Sequence, residues 1–66
     1  MSVGENLKRI LEDKGMTYIE LSRRTGITEV SISRYARSLR VPNAINLAKI
    51  AKALNVSTDD LLCENK

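Results

Sequence analysis

The apolar residues of segment 17–37 are spaced as in two short helices joined by a tight turn, and this pattern narrows the possible folds of the chain more than any other segment does. Gly26 follows the first of these helices, where a positive φ is often needed and glycine adopts it at little cost. Ile32 and Tyr35 lie three residues apart, so they share one face of the second helix and fold it back onto the first. The predicted core of this unit is Leu21, Gly26, Ile27, Ile32 and Tyr35.

The rest of the chain is also predicted to be helical, and no segment has the pattern of a strand. The apolar periodicity predicts a first helix at about residues 3–14, a third at about 29–38, and a fourth with Leu47, Ile50, Ala51 and Leu54 facing inward. The predicted helix starts are Ser2 (with Glu5), Thr17 (with Glu20), Thr28, Asn43 and Ser57, and the predicted helix ends are Gly15, Gly26 and Asn55. Pro42 places a loop before the fourth helix. Residues 1–66 are therefore predicted to form one compact all-α domain of five helices.

The outer face of the second helix of the 17–37 unit carries a stripe at positions i, i+3, i+4 and i+7. Its members are Val30, Ser33, Arg34 and Arg37. At about 100° per residue, the stripe points away from Ile32, Tyr35 and Leu39. Such a stripe is usually plain solvated surface. On the second helix of a two-helix unit of this kind, however, it is the arrangement that presents a helix to the major groove of DNA.

The positive charge of the chain is concentrated around this unit. Residues 16–43 hold five arginines against two glutamates, whereas residues 55–66 hold three acidic residues against one lysine. Binding to phosphates needs local positive potential rather than a large total charge, so the formal net charge of +3 is compatible with a DNA partner.

In these features the chain resembles helix-turn-helix proteins of the Cro and lambda-repressor type, the Xre family. The similarity covers nearly the whole chain, from NLKRI at 6–10 to NLAKIAKALNVSTDDLL at 46–62. The resemblance implies a lambda-repressor-like five-helix fold. It also implies a sequence-specific transcriptional regulator that binds double-stranded DNA, usually a repressor acting as a homodimer on a palindromic operator.

Five residues at the start and on the outer face of helix 3 are the predicted base readers: Thr28, Glu29, Val30, Ser33 and Arg34. Arg34 can grip the O6 and N7 of guanine, Val30 can pack on a thymine methyl, and Glu29 can accept from the N4 of cytosine. Alternatives stay open for each. Arg34 can instead contact a phosphate or stay solvated, Glu29 can complement the helix dipole, and Val30 can be exposed by chance.

Phosphate contacts are predicted from helix N-termini and from the basic track after helix 3. The candidates are Thr17, Tyr18, Arg37, Arg40 and Asn43. Free backbone N–H groups at a helix start favour an anion, and in the Xre family the first turn of helix 2 commonly lies on the sugar-phosphate backbone. The alternative for Tyr18 is packing on its own helix.

The resemblance places the dimer contact near the loop between helices 3 and 4 and near helix 5. The candidates are Val41, Ile45, Thr58 and Leu61. Val41 and Ile45 do not fit the inward stripe of helix 4, which favours this role independently. The alternative is that they cover the small core of their own domain.

The chain departs from the family pattern at several positions. Many relatives pair an arginine on helix 1 with a glutamate on helix 3, and the matching residues here are Leu11 and Ala36, which we expect to contact each other. Ser38 stands where a glycine is common, and Leu39 stands where a lysine is common. Ser22 is expected to bond its hydroxyl back to a carbonyl of its own helix.

Enzyme, metal and membrane functions are not expected. The chain has no histidine, Cys63 is its only cysteine, and the acidic pairs Glu12-Asp13 and Asp59-Asp60 are sequence neighbours that diverge on a helix. We expect no cofactor, no room for a sensor domain, and a cytoplasmic protein of bacterial or phage origin, acting at the nucleoid. The alternative function is an antitoxin or another protein-interaction module of the same fold, which Ile19 at an outer position of helix 2 favours slightly.

Overall fold

A computed structural model describes residues 3–62 of the chain, which form five helices and no strand. The helices are α1 (Val3–Lys14), α2 (Tyr18–Thr25), α3 (Glu29–Ala36), α4 (Ala44–Leu54) and α5 (Thr58–Leu62). This confirms the predicted all-α, five-helix fold. Among the described residues, no helix has the length and apolar character needed to cross a membrane. The predicted cap at Ser2 and the residue Cys63 lie outside the described residues.

Four helices begin at the residues that the sequence predicts, and a side-chain oxygen caps each of these starts. Thr17, Thr28 and Asn43 accept the backbone N–H three residues ahead, at 3.1, 3.2 and 2.8 Å respectively. Ser57 and Asp60 make a reciprocal capping box, each side-chain oxygen accepting the other residue's N–H at 3.1 Å. These bonds satisfy backbone donors that have no partner inside the helix.

Helix α3 ends at Ala36, two residues before the predicted end at 38. Ser38 adopts the left-handed conformation, with φ of 62°, and the N–H of Leu39 donates back to the carbonyl of Arg34 at 2.9 Å. This is the Schellman closure, with a serine where glycine is the common residue. The prediction that Leu39 continues the inward face was wrong, because the chain has already turned there and Leu39 is 61% exposed.

One apolar core joins the five helices. Its members are Leu7, Ile10, Leu11, Leu21, Ile27, Ile32, Tyr35, Ala36, Ile50, Ala51, Leu54 and Leu61. Helix α3 packs on α1 and α2, α4 packs on α2, and α5 packs on α1 and α4. Leu11 and Ala36 are both buried in this core, as expected for an apolar pair in place of a charged one.

Leu61 is part of this core, so its predicted place in a dimer interface was wrong. Its side chain is 0% exposed, and its carbonyl accepts a hydrogen bond from Nδ2 of buried Asn6 at 2.8 Å. The adjacent Leu62 is 53% exposed. Successive residues on a helix point about 100° apart, so α5 can bury only one of the two leucines against α1 and α4.

The bond between Asn6 and Leu61 ties the first helix to the last, and we expect Asn6→Ala to destabilise the fold. Removing the donor leaves a carbonyl in a dry site without this partner, which costs about 1–3 kcal/mol. For a domain of this size the melting temperature should fall by about 4–8 °C for each kcal/mol. The melting temperature is measured by monitoring thermal unfolding with circular dichroism. Lys8→Ala, at an exposed position of the same helix, is the control. Equal melting temperatures for the two variants would contradict the role of this bond.

Candidate nucleic-acid interface

The turn between α2 and α3 is held by hydrogen bonds from the side chains of Ser22 and Thr25. The hydroxyl of Ser22 donates to the carbonyl of Ile27 at 2.5 Å, so its acceptor lies across the turn and not in its own helix as expected. The hydroxyl of Thr25 donates to the carbonyl of Leu21 at 2.8 Å and accepts the N–H of Ile27 at 3.1 Å. Gly26 has the positive φ that the sequence predicts, at 77°. The angle between the two helices is therefore fixed from inside the turn.

Helix α3 shows two contrasting faces. Ile32, Tyr35 and Ala36 are buried, whereas Val30 is 59% exposed and Arg34 is exposed. An open groove runs along the outer face, and it is lined by Tyr18, Glu29, Val30, Ser33, Arg34 and Arg37. The structure thus brings the predicted stripe together with Tyr18 from the first turn of α2.

The charged side chains of this groove are available to a ligand. Within residues 3–62, Glu29, Arg34 and Arg37 make no side-chain hydrogen bond or ion pair. Arg24, in contrast, pairs with Glu20 at 3.0 Å and lines a different groove with Lys49 and Lys52. Groups of three or more side chains suited to holding a metal ion do not occur in the described part of the chain.

Not every predicted base reader lies in the groove. Thr28 is exposed, but its hydroxyl caps α3 and also bonds to Oγ of Ser31 at 3.0 Å. It is not among the residues that line the groove, whereas Glu29, Val30, Ser33 and Arg34 all are. Thr28 therefore sits at the leading end of α3 with its side chain already engaged.

Comparison with known proteins agrees with this architecture. A family model described as helix-turn-helix matches residues 7–61. The chain belongs to this Xre-type helix-turn-helix family. It is 37% identical over 60 residues to the uncharacterized HTH-type transcriptional regulator y4dJ of Sinorhizobium fredii, covering 91% of this chain and 78% of that protein.

Two solved structures have the same fold. The P22 c2 repressor, solved in complex with a synthetic operator in the presence of Tl⁺, is 31% identical, with a TM-score of 0.90 and 98% of each chain covered. The restriction-modification controller protein C.AhdI of Aeromonas hydrophila is 23% identical, with a TM-score of 0.87 and 91% of each chain covered. The second likeness concerns the fold alone. The family and fold are those of DNA-binding transcriptional regulators rather than of enzymes.

Within this helix-turn-helix frame, the predicted phosphate contacts lie at two helix starts and after α3. Thr17 and Asn43 are exposed caps of α2 and α4, and their side-chain oxygens are occupied by the helix N–H groups. Arg37 and Arg40 are exposed around the end of α3. Tyr18 is half-buried, packs against the core and lines the groove, so packing on its own domain and facing the groove are compatible roles.

The C-terminal end of α3 also packs against Gly4 of α1, a residue that the sequence analysis did not single out. A Cβ at Gly4 would lie 2.5 Å from Oγ of Ser38 and closer still to the carbonyl oxygen of Tyr35. The absence of a side chain is therefore what allows α1 to approach the C-terminal end of α3. Only the tertiary contact reveals this, because a glycine in the first turn of a helix carries no distinctive pattern.

We expect Gly4→Ala to destabilise the protein, although a glycine-to-alanine substitution within a helix normally stabilises it. Alanine in a helix normally stabilises by roughly 0.5–1 kcal/mol relative to glycine, but here its Cβ would meet backbone atoms that cannot rotate away. Denaturant unfolding of the single variant and of G4A/S38A measures the effect. The double variant should not recover stability, because the Tyr35 carbonyl remains. An unfolding free energy above that of the wild type would contradict the close approach.

Proposed function

We propose that this protein is a sequence-specific repressor that binds a palindromic operator in double-stranded DNA as a homodimer, with α3 in the major groove. The observation that carries the proposal is the outer groove of α3, in which an exposed valine, a serine and two unpaired arginines share one surface with Tyr18. Similarity to the P22 c2 repressor, which was solved in complex with a synthetic operator, supports operator DNA as the ligand.

Base reading is assigned to the middle of the groove. The planar guanidinium of Arg34 makes two parallel hydrogen bonds to the O6 and N7 of a guanine. Val30, which has no core partner, packs on a thymine methyl, and Ser33 adds a weaker polar contact. Glu29 accepts from the N4 of a cytosine, since a carboxylate without a cationic partner would otherwise repel nearby phosphates. Thr28 takes the edge of the same site.

Phosphate binding is assigned to the margins of the groove. The first-turn N–H groups of α2 and α4, after Thr17 and Asn43, face the sugar-phosphate backbone, together with the Tyr18 hydroxyl. Arg37 and Arg40 continue the positive track beyond α3. These contacts fix the orientation of the protein on the duplex and carry little sequence information.

The dimer contact is assigned to exposed apolar residues on the loop before α4, on α4 and on α5. Val41 is 79% exposed and Ile45 is 69% exposed, and neither belongs to the core. Thr58 is exposed, and Leu62 takes the place first given to Leu61. Two copies joined here would present two α3 helices to half-sites about 10–10.5 bp apart, centre to centre.

Repression follows from occupancy, because a dimer seated on an operator that overlaps a promoter excludes polymerase. Regulation would then come through protein concentration, competition for the operator or a protein partner. We propose the cytoplasm of a bacterial cell as its place of action, at the nucleoid.

A protein-interaction module, such as an antitoxin, is the second candidate function. One observation favours it: Ile19 on the outer side of α2 is 51% exposed. DNA affinity that falls steeply with salt favours the regulator, and a weak salt dependence favours the interaction module.

The base-reading role of Arg34 predicts a loss confined to one base position. Arg34→Ala should weaken binding to the selected operator by about 1–3 kcal/mol and remove the preference at that position. Arg40→Ala, as the matched control, should weaken all sequences alike and lower the salt slope by about one. Competition binding with singly substituted duplexes measures both. If Arg34→Ala weakened every duplex equally, Arg34 would be a phosphate contact and not a reader.

The proposed dimer contact predicts that polar substitution at Val41 and Ile45 yields a monomer. We expect V41S/I45S to sediment as a monomer at concentrations where the wild type is dimeric, and to lose affinity for the full operator more than for an isolated half-site. Ile19→Ser is the control, because it removes another exposed apolar residue, on α2, away from the proposed contact. A dimer of unchanged affinity in V41S/I45S would place the contact elsewhere.

A further inference from the structure

Helices α3 and α4 both face DNA in the proposed complex, yet neither packs mainly on the other. The main contacts of α3 are with α1 and α2, and those of α4 are with α2 and α5. The loop 37–43 connects α3 to α4 in the chain. A direct contact between α3 and α4 would therefore help to align the proposed base contacts of α3 with the proposed phosphate contacts of α4.

Such a link exists between Tyr35 and Asn46. The side-chain amide Nδ2 of Asn46 donates to the hydroxyl oxygen of Tyr35 at 3.0 Å, in a partly buried site. Tyr35 is 7% exposed and belongs to the apolar core, so its hydroxyl is carried by a side chain that the core holds in place. Tyr35 follows Arg34 directly in α3, so this bond lies next to the proposed base reader along the helix.

Asn46 extends the link to the phosphate-facing end of α4. Its backbone N–H donates to Oδ1 of Asn43 at 2.8 Å, which is the bond that caps the helix. One residue thus joins the recognition helix to the helix start that is assigned to a phosphate. Phosphate contacts set the register of a protein on the duplex, whereas base contacts need correct geometry within that register.

We propose that Tyr35 and Asn46 form a positioning pair, which fixes α3 relative to the N-terminus of α4 and so sets sequence discrimination. The proposal rests on the proposed DNA-binding function and names neither residue as a base reader. Loss of the pair leaves both surfaces able to bind phosphates, so affinity for any duplex persists. Operator affinity falls, because the base contacts and the phosphate contacts no longer align at the same time.

The plain alternative is that the bond only satisfies a hydroxyl near the core, as buried tyrosines commonly require. Under that alternative, removal of the hydroxyl changes stability and leaves the ratio of operator to non-specific affinity unchanged. The ratio of operator affinity to non-specific affinity therefore distinguishes a positioning pair from a purely structural hydrogen bond, whereas stability does not.

The experiment compares Tyr35→Phe, Asn46→Ala and the double variant with the wild type, using the full chain. Each is titrated with the duplex selected by the wild type and with a scrambled duplex, over a range of salt concentrations. We expect each single variant to lose about tenfold in the ratio of the two affinities, with an unchanged salt slope on scrambled DNA. The double variant should lose no more than the single variants, because the two residues act through one bond.

Asn6→Ala is the matched control, since it removes a buried hydrogen bond of similar length between α1 and α5. It should lower the melting temperature and leave the affinity ratio unchanged. If Tyr35→Phe lost affinity equally for the operator and the scrambled duplex, the ratio of the two affinities would stay at the wild-type value. That result would overturn the positioning role and leave the DNA-binding function standing. A wild-type protein that does not distinguish the two duplexes would overturn both.

Discussion

The burial of one face of α3 in the apolar core determines both the position of this helix and the surface that it leaves exposed. A helix of eight residues is not stable alone in water, so α3 exists because Ile32, Tyr35 and Ala36 pack into the core. The same packing fixes its rotation, and the rotation decides which residues remain outside. The outer groove is therefore a consequence of core packing, and the turn bonds from Ser22 and Thr25 keep its angle to α2.

Most helix boundaries of this fold follow from local sequence signals. Side chains that can cap a helix and residues that accept a positive φ act within three or four positions along the chain, so the starts at Thr17, Thr28 and Asn43 and the ends at Gly26 and Asn55 could be predicted from the sequence. Periodicity likewise predicted the buried and outer faces of α3. These signals are short-range, so they can be read without knowledge of the tertiary contacts.

The misplaced residues share a different cause. In a helix of five residues, periodicity cannot decide whether Leu61 or Leu62 turns inward, and packing against α1 and α4 makes that choice. Ser38 adopts a conformation that serine rarely takes, so the early end of α3 had no local signal. Gly4 and the bond from Asn46 to Tyr35 depend on residues distant in sequence. For the candidate site, the stripe on α3 could be predicted, whereas the contacts that hold it at a fixed angle could not.

Whether the outer groove of α3 reads a DNA sequence can be measured by letting the purified protein select duplexes from a random-sequence library. We expect enrichment of a two-fold palindrome, with half-sites separated by about 10–10.5 bp from centre to centre. Retention of duplexes without any enriched sequence, lost uniformly as salt is raised, would contradict it, because such binding comes from phosphates alone.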